Sequence, residues 1–238
     1  MTRVVIVTGA TGTIGTSICR CLMDDGWCVV AADVVAPDDP SDHPHFVQAD
    51  VTSEASVAAL FEAATALGTV LGLVINHGVL RRASAGIYDE ALVQDSIEVN
   101  LKGTLRLLTL ASRHVADGGA IVQISTVSVS TGAIQGSYIY QATKAGIEQL
   151  TRFFAVALGP KAIRVNTVAP GFMEQPMRGE GSKVRTAPGN APESRRSNAL
   201  GRSVKATEVA NAVAFLCSPS ASGITGVVLP VDCGFRIA

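Results

Sequence analysis

Thr8-Gly9-Ala10-Thr11-Gly12-Thr13-Ile14-Gly15 follows the β-branched run Val4–Val7 and leads into a helical stretch near Ile14–Asp24. Glycines between a strand and a helix permit a tight turn. They also let the backbone approach an anion at the helix N-terminus, where N–H groups and the helix dipole favour negative charge. Such a turn can carry glycines for packing alone. After the first strand of a βαβ unit, however, it points to the pyrophosphate of a dinucleotide, with Gly9, Thr11, Gly12, Thr13, Ile14 and Gly15 along it. Asp33 closes the second apolar run, Val29–Ala32. A carboxylate there accepts hydrogen bonds from the adenosine ribose hydroxyls and repels the 2′-phosphate of NADP. Val34 and Val35 beside it are neutral, and no Arg or Lys occurs in the glycine turn. The cofactor this selects is NAD; the competing reading of Asp33 is a simple turn cap.

Strand, turn and helix signals repeat outward from that turn. Phe46–Val47 reads as a weak third strand, Ser53–Leu67 as an Ala-rich helix with Ser53 as N-cap, and Val70–Ile75 as a strand. Leu92–Val115 has helical spacing, Ala120–Ile124 reads as strand and Tyr138–Leu158 as helix. Ile163–Val168 reads as strand, Thr207–Leu216 as helix and Val227–Val231 as the last strand. Strands apolar throughout imply a sheet covered on both faces, hence parallel strands with crossover helices. The expected fold is α/β: one doubly wound, Rossmann-like parallel sheet with helices on both faces, a single domain over residues 1–238. In Glu174–Arg202, Gly, Pro, Ser, Asn and Arg replace apolar periodicity, so a mobile substrate loop is expected there. Its Arg178, Arg185, Arg195 and Arg196 read either as a solvated basic stretch or as an attraction for an anionic group.

The 238 residues, 47% hydrophobic and 16% charged, suit a large core that needs no staples. With 19 Lys+Arg against 20 Asp+Glu there is no reason to expect nucleic acid or an acidic membrane surface as partner. The five cysteines, Cys19, Cys21, Cys28, Cys217 and Cys233, show no zinc-site or redox-pair spacing. They read as reduced, mostly buried thiols, with no metal, in a reducing compartment. No apolar run approaches the ~20 residues of a membrane span. The N-terminus fits no signal peptide, so a cytoplasmic location is expected.

Tyr140 and Lys144, at i and i+4, share one face of the expected helix. A free tyrosine, with a pKa of ~10, is a poor base near neutrality. A neighbouring ammonium favours the phenolate and is expected to lower that value. The pair is a candidate acid/base for a hydroxyl proton; the ordinary alternative is a helix surface contact.

Taken together these residues resemble the short-chain dehydrogenase/reductase family over essentially the whole chain. Tyr140-Gln-Ala-Thr-Lys144 matches its Y-x-x-x-K motif, and Asn76-His77-Gly78 resembles its N-A-G turn. Asp50-Val51 matches its D-V, Pro170-Gly171 its P-G turn, and Thr225-Gly226 through Val231-Asp232-Cys233-Gly234 resembles its ending. The resemblance implies hydride transfer between NAD and a small secondary alcohol or ketone, with Asn100, Tyr140, Lys144 and one hydroxyl as catalytic residues. It implies that Lys144 also holds the nicotinamide ribose and that Asn100 orders a water linking Lys144 to solvent. Asp50 and Val51 would line the adenine pocket. Asn76, His77 and Gly78 would lie along the cofactor, and Met173, past Pro170-Gly171, would contact the carboxamide. A homo-oligomer, tetramer or dimer, is implied, with the helices around Leu101 and Ile147 pairing subunits.

Four positions depart from the family pattern. The G-x-x-G-x-x-G spacing is more usual in longer members. His77 replaces the usual Ala and reads as a packing change, and Gln175 stands where Thr commonly follows the P-G turn. Counting back from Tyr140 by the usual spacing lands on Val127, which has no hydroxyl. Aligning on the strand end selects Thr126, with one extra loop residue before Tyr140; Ser128 is the rival. Two other functions compete: reduction of a 3-oxoacyl thioester, which the family usually performs with NADP, and a non-catalytic dinucleotide-sensing regulator. Such regulators commonly lose the Tyr or the Lys, and both stand here.

Overall fold

The computed structural model describes residues 2–81, 88–131, 138–174 and 198–238. Seven strands form one sheet: β1 (Arg3–Thr8), β2 (Cys28–Asp33), β3 (His45–Gln48), β4 (Thr69–Ile75), β5 (Ala120–Ile124), β6 (Arg164–Pro170) and β7 (Val228–Val231). All pair in parallel, in the order β3-β2-β1-β4-β5-β6-β7. The described helices are α1 (Thr13–Asp24), α2 (Glu54–Leu67), α3 (Glu90–Ser96), α4 (Gly103–His114), α5 (Tyr138–Leu158) and α6 (Ala206–Cys217).

Successive side chains of a strand point to opposite faces, and β1 shows what that requires. Val4 and Ile6 join Leu60 and Phe61 of α2, Leu107 and Leu108 of α4, and Leu158 of α5. Val5 and Val7 join Ile18 and Leu22 of α1 with Val209 and Val213 of α6. Two cores sandwich the sheet, so the apolar run of β1 is buried on both faces. Phe61, Leu60, Leu107 and Leu108 are fully buried, and each such side chain contributes roughly 1.5–3 kcal/mol of transfer free energy.

Connections reverse direction between β1 and β4, the topological switch point where open α/β sheets bind ligands beyond the carboxyl ends of their strands. Thr8, Asp33, Ile75, Ile124 and Pro170 end β1, β2, β4, β5 and β6 there.

Most element bounds match the sequence reading, and Ser53 caps α2 by accepting from Ser56 N at 3.3 Å. One expectation changes. Leu92–Val115 is not one regular helix: α3 starts at Glu90 behind an Asp89 cap and passes through a π-helical turn, Ile97–Lys102, before α4. The buried positions Val93, Ser96, Asn100, Gly103, Leu107 and Ala111 keep steps of three and four across that turn, so spacing alone does not register it. On α4 and α5, Ile147 is buried at 1% exposure, whereas Leu105, Phe153 and Val156 are exposed.

All five cysteines are free thiols, but only Cys19 and Cys217 are buried; the other three are half-buried. Burial pushes both buried thiols up to about 12, which leaves them inert. The loop expected over Glu174–Arg202 lies mostly outside the described residues, as do Gln175 and the loop arginines. Its described ends are joined: Glu174 N donates to Val204 O at 2.8 Å, and Arg202 grips Glu208 through two bonds of 2.9 and 2.6 Å. Among the described residues no helix is long and apolar enough to cross a membrane.

Candidate active site

The carboxyl ends of β1, β2 and β4 build one half of the site. Gly12 caps α1 in an extended conformation with no side-chain cap bond. At the end of β2, Asp33 Oδ2 accepts from Thr11 N at 3.1 Å and Thr11 Oγ1 at 2.8 Å, and Oδ1 accepts from Val35 N at 3.3 Å. Beside it a hollow of about 350 Å³ is lined by Val34, Gln48, Ala49, Asp50 and Ser56. Asp50 Oδ1 accepts from Thr52 N and Oγ1, both at 2.8 Å, while Val51 is buried. Asn76 Nδ2 donates to Gly9 O at 2.8 Å, tying the turn after β4 to the glycine turn after β1. The His77 ring is buried against Thr8 and the Val99 carbonyl, so anything this residue offers along a cofactor comes from its backbone.

The π-helical turn, β5 and α5 build the other half. Asn100 is fully buried: Oδ1 accepts from Val79 N at 2.8 Å, and Nδ2 donates to Val79 O at 3.0 Å and Thr143 Oγ1 at 3.2 Å. Lys144 Nζ donates to Ile124 O at 2.8 Å and lies 5.8 Å from the centre of the Tyr140 ring. A Cβ on Gly78 would lie 3.2 Å from Asn100 Oδ1 and 3.3 Å from Lys144 Nζ, so the two polar groups meet across that glycine. Beyond β5, Ser125 Oγ is taken by Glu148 at 2.7 Å. Thr126 Oγ1 and Ser128 Oγ lie 3.0 Å apart, Thr126 half-exposed and Ser128 buried. The spacing argument separated these hydroxyls; the structure brings both into one hydrogen bond. On the far side, Gly171 N donates to Val231 O at 2.9 Å and Met173 bridges to Val204, which places the turn after Pro170 against the end of β7.

One electrostatic expectation is corrected. The Tyr140 hydroxyl is not depressed by Lys144; burial raises it to about 12. The same burial lowers Lys144 to about 8. Desolvation disfavours both charged forms and here outweighs the attraction between them. His77 is held down to about 3, first by burial and then by Lys144. Among the described residues no cluster of three His, Cys, Asp or Glu is placed to hold a metal ion.

Sheet order and site geometry define a dinucleotide-binding oxidoreductase class, and the comparisons agree. A family model described as enoyl-(acyl carrier protein) reductase matches residues 9–236. The cis-4-hydroxycyclohexanecarboxylate dehydrogenase of Sinomonas cyclohexanicum is 38% identical, across 98% of this chain and 96% of its own. The 3-alpha-(or 20-beta)-hydroxysteroid dehydrogenase of Mycobacterium bovis is 31% identical, across 98% of this chain and 88% of its own. The 3-ketoacyl-(acyl-carrier-protein) reductase from Brucella melitensis, solved with NADH, has a TM-score of 0.86 at 27% identity, covering 99% of this chain and 98% of that one. The chain belongs to the short-chain dehydrogenase/reductase family of oxidoreductases.

The shifted histidine makes stability depend on pH. Between its unfolded value of 6.5 and its folded value of about 3, the unfolded chain binds a proton at His77 that the folded chain refuses. Stability from this group is complete above 6.5 and is lost as pH falls through that window. Denaturant unfolding at neutral and acid pH is expected to show that loss, and His77→Gln to reduce it. An unaltered acid slope in the variant would place its origin elsewhere.

Proposed function

We propose that the chain is an NAD-dependent dehydrogenase or carbonyl reductase for secondary alcohols or ketones. The observation that carries this reading is the buried Lys144 ammonium, braced on the end of β5, with Tyr140 on its own helix and Asn100 facing it across Gly78. A dinucleotide-sensing regulator needs none of that arrangement. The names of two relatives support a ring-borne secondary alcohol as substrate, since a hydroxycyclohexanecarboxylate and a hydroxysteroid both carry one.

The residues present fit a dinucleotide. Gly12 gives the α1 N-terminus no side-chain cap, and the hollow beside Asp33 is lined by Val34, Gln48, Ala49, Asp50 and Ser56, none of them cationic. Gly9, Thr11, Thr13, Ile14 and Gly15 would take the pyrophosphate, Asp33 the adenosine ribose, and Asp50 and Val51 the adenine. Asn76, the His77 backbone, Gly78, Pro170, Gly171 and Met173 would line the remainder. When bound, NAD accepts or returns the hydride. Thr126 holds the substrate oxygen, with Ser128 behind it orienting the threonine hydroxyl. Tyr140 exchanges the hydroxyl proton: protonated at neutral pH, it is poised to donate to a developing alkoxide. In the oxidative direction Lys144, charged below about 8, favours the phenolate. Lys144 also holds the nicotinamide ribose, and Asn100 orders a water between Lys144 and solvent. Leu105, Phe153 and Val156 support a homo-oligomer paired through α4 and α5, and the free thiols support a cytoplasmic location.

A second reading, reduction of a 3-oxoacyl thioester, is favoured by the carrier-protein reductase solved with NADH. Assaying NAD and NADH turnover on cyclic secondary alcohols, ketones and a 3-oxoacyl thioester separates the two.

Tyr140→Phe is expected to reduce turnover to background while the NADH dissociation constant, read by fluorescence titration, stays within about threefold. Retained turnover at neutral pH would sink the mechanism. NAD is expected to be preferred over NADP by at least about tenfold, or ~1.4 kcal/mol, and Asp33→Ala to narrow that margin. Equal use of both cofactors by the unmodified chain would refute the role of Asp33. Removing a hydrogen bond to a developing oxyanion costs ~3 kcal/mol, so Thr126→Ala is expected to lose about a hundredfold in kcat and Ser128→Ala less than about tenfold. The reverse order would make Ser128 the catalytic hydroxyl.

A further inference from the structure

In an α-helix Gly103 N–H would bond Val99 O. Here it donates to Glu98 O, the register of a π turn. Val99 O thereby loses its α-helical donor, and His77 Nε2 lies 3.1 Å from it. A carbonyl only accepts, so Nε2 carries a proton. The other ring nitrogen, Nδ1, faces Thr8 Oγ1 at 2.9 Å. That oxygen already accepts from Asn76 N at 3.1 Å and His77 N at 3.4 Å, and its single proton has a better acceptor in Nδ1 than in Val74 O at 3.4 Å. Both ring nitrogens are therefore used by a neutral imidazole. The helix leaves room for it: a Cβ on Gly103 would stand 3.1 Å from Nε2.

We propose that His77 is a positioning residue, whose neutral Nε2–H ring locks the π turn that holds Asn100 in place and ties that turn to the end of β1. The turn after β4 grips the helix at two consecutive residues: the His77 ring takes Val99 O, and the Val79 backbone exchanges two bonds with the Asn100 side chain. Without the Nε2 proton, Val99 O is left unsatisfied, and the helix recovers that bond by returning Gly103 N–H to the α register. Such a return carries Asn100 away from Val79 and from Thr143, one residue before Lys144. An alanine or an apolar ring at position 77 fills space and supplies neither bond. The catalytic consequence rests on the reading of Asn100 as part of the proton path; the lock itself does not.

Two variants separate the ring's two ends, because a Gln amide reaches the position of Nε2 whereas an Asn amide reaches only that of Nδ1. With NAD and a turned-over secondary alcohol, His77→Asn is expected to lower kcat about tenfold with the NAD KM within about threefold, and His77→Gln to stay within about threefold in both. Equal losses in the two variants, or a loss confined to the NAD KM, would overturn the proposal. Nitrogen-15 NMR of the unmodified chain is expected to show the neutral Nε2–H tautomer at neutral pH; a cationic or Nδ1–H ring would overturn it. Should the unmodified chain turn over no secondary alcohol, the enzyme reading falls while the lock is still read from the Gly103 and Val79 amide resonances. These shift in His77→Asn and hold in His77→Gln, and unmoved resonances in His77→Asn would refute the lock.

Discussion

A charged amine is expensive to bury unless its protons find acceptors, and Lys144 is only 3% exposed. Its bond to the Ile124 carbonyl, 2.8 Å long, is the joint on which the Tyr140/Lys144 half of the site depends. Ile124 ends β5, so the bond fixes α5 against the strand whose continuation supplies Thr126 and Ser128. Tyr140, one helical turn before Lys144, is thereby placed relative to the same hydroxyls. The buried Gln123–Thr151–Thr167 chain, with links of 2.7 and 2.5 Å, repeats the tie two helical turns further along α5 and extends it to β6. Helix, strand and neighbouring strand are coupled through polar groups that have no water to fall back on.

The same burial decides the charge state of the Tyr140/Lys144 pair. Tyr140 at about 12 and Lys144 at about 8 have moved in opposite directions from their ordinary values, each toward its neutral form. Attraction between an ammonium and a phenolate would move both the other way, and it loses to the desolvation of the two buried groups. A site so arranged gains most from whatever brings a negative oxygen to the tyrosine hydroxyl, which suits proton donation to an alkoxide.

Much of this was legible in residue order. Continuous apolar runs at β1 and β4 called for a parallel sheet because both of their faces are covered, and the Tyr140/Lys144 spacing placed the pair on one helix face. The π turn was not legible. It depends on a contact with His77, which belongs to another element, and Leu92–Val115 keeps helical spacing with or without an added residue. The sign of the Tyr140 shift was missed for a similar reason: spacing reports that Lys144 is near, whereas desolvation depends on what the whole fold packs around the pair. Which apolar side chains of α5 face outward was not legible either: a long helix buries one stripe and exposes another, here Phe153 and Val156, and choosing between them requires knowing where the sheet lies.

The glycine turn shows where packing ends and ligand binding begins. Gly9 has φ +63°, and a Cβ there would come within 2.8 Å of His77 Cα; at Gly15 it would come within 2.0 Å of Gly9 O. The chain itself therefore demands both glycines, since the ends of β1 and β4 and the start of α1 could not otherwise close on one another. Neither is evidence for a ligand. Gly12 is different: its φ is −72°, which any residue adopts, and a Cβ there would only touch Gly9 O at 3.4 Å, an ordinary contact. It is also the residue that caps α1, a position where Ser, Thr, Asp or Asn would supply a side-chain acceptor to the first-turn amides. A glycine that packing does not require, at a helix start left without a side-chain cap, is accounted for by a group that must approach the backbone closely and accept from those amides. On the proposed reading it is Gly12, and not the spacing as a whole, that is left to the pyrophosphate.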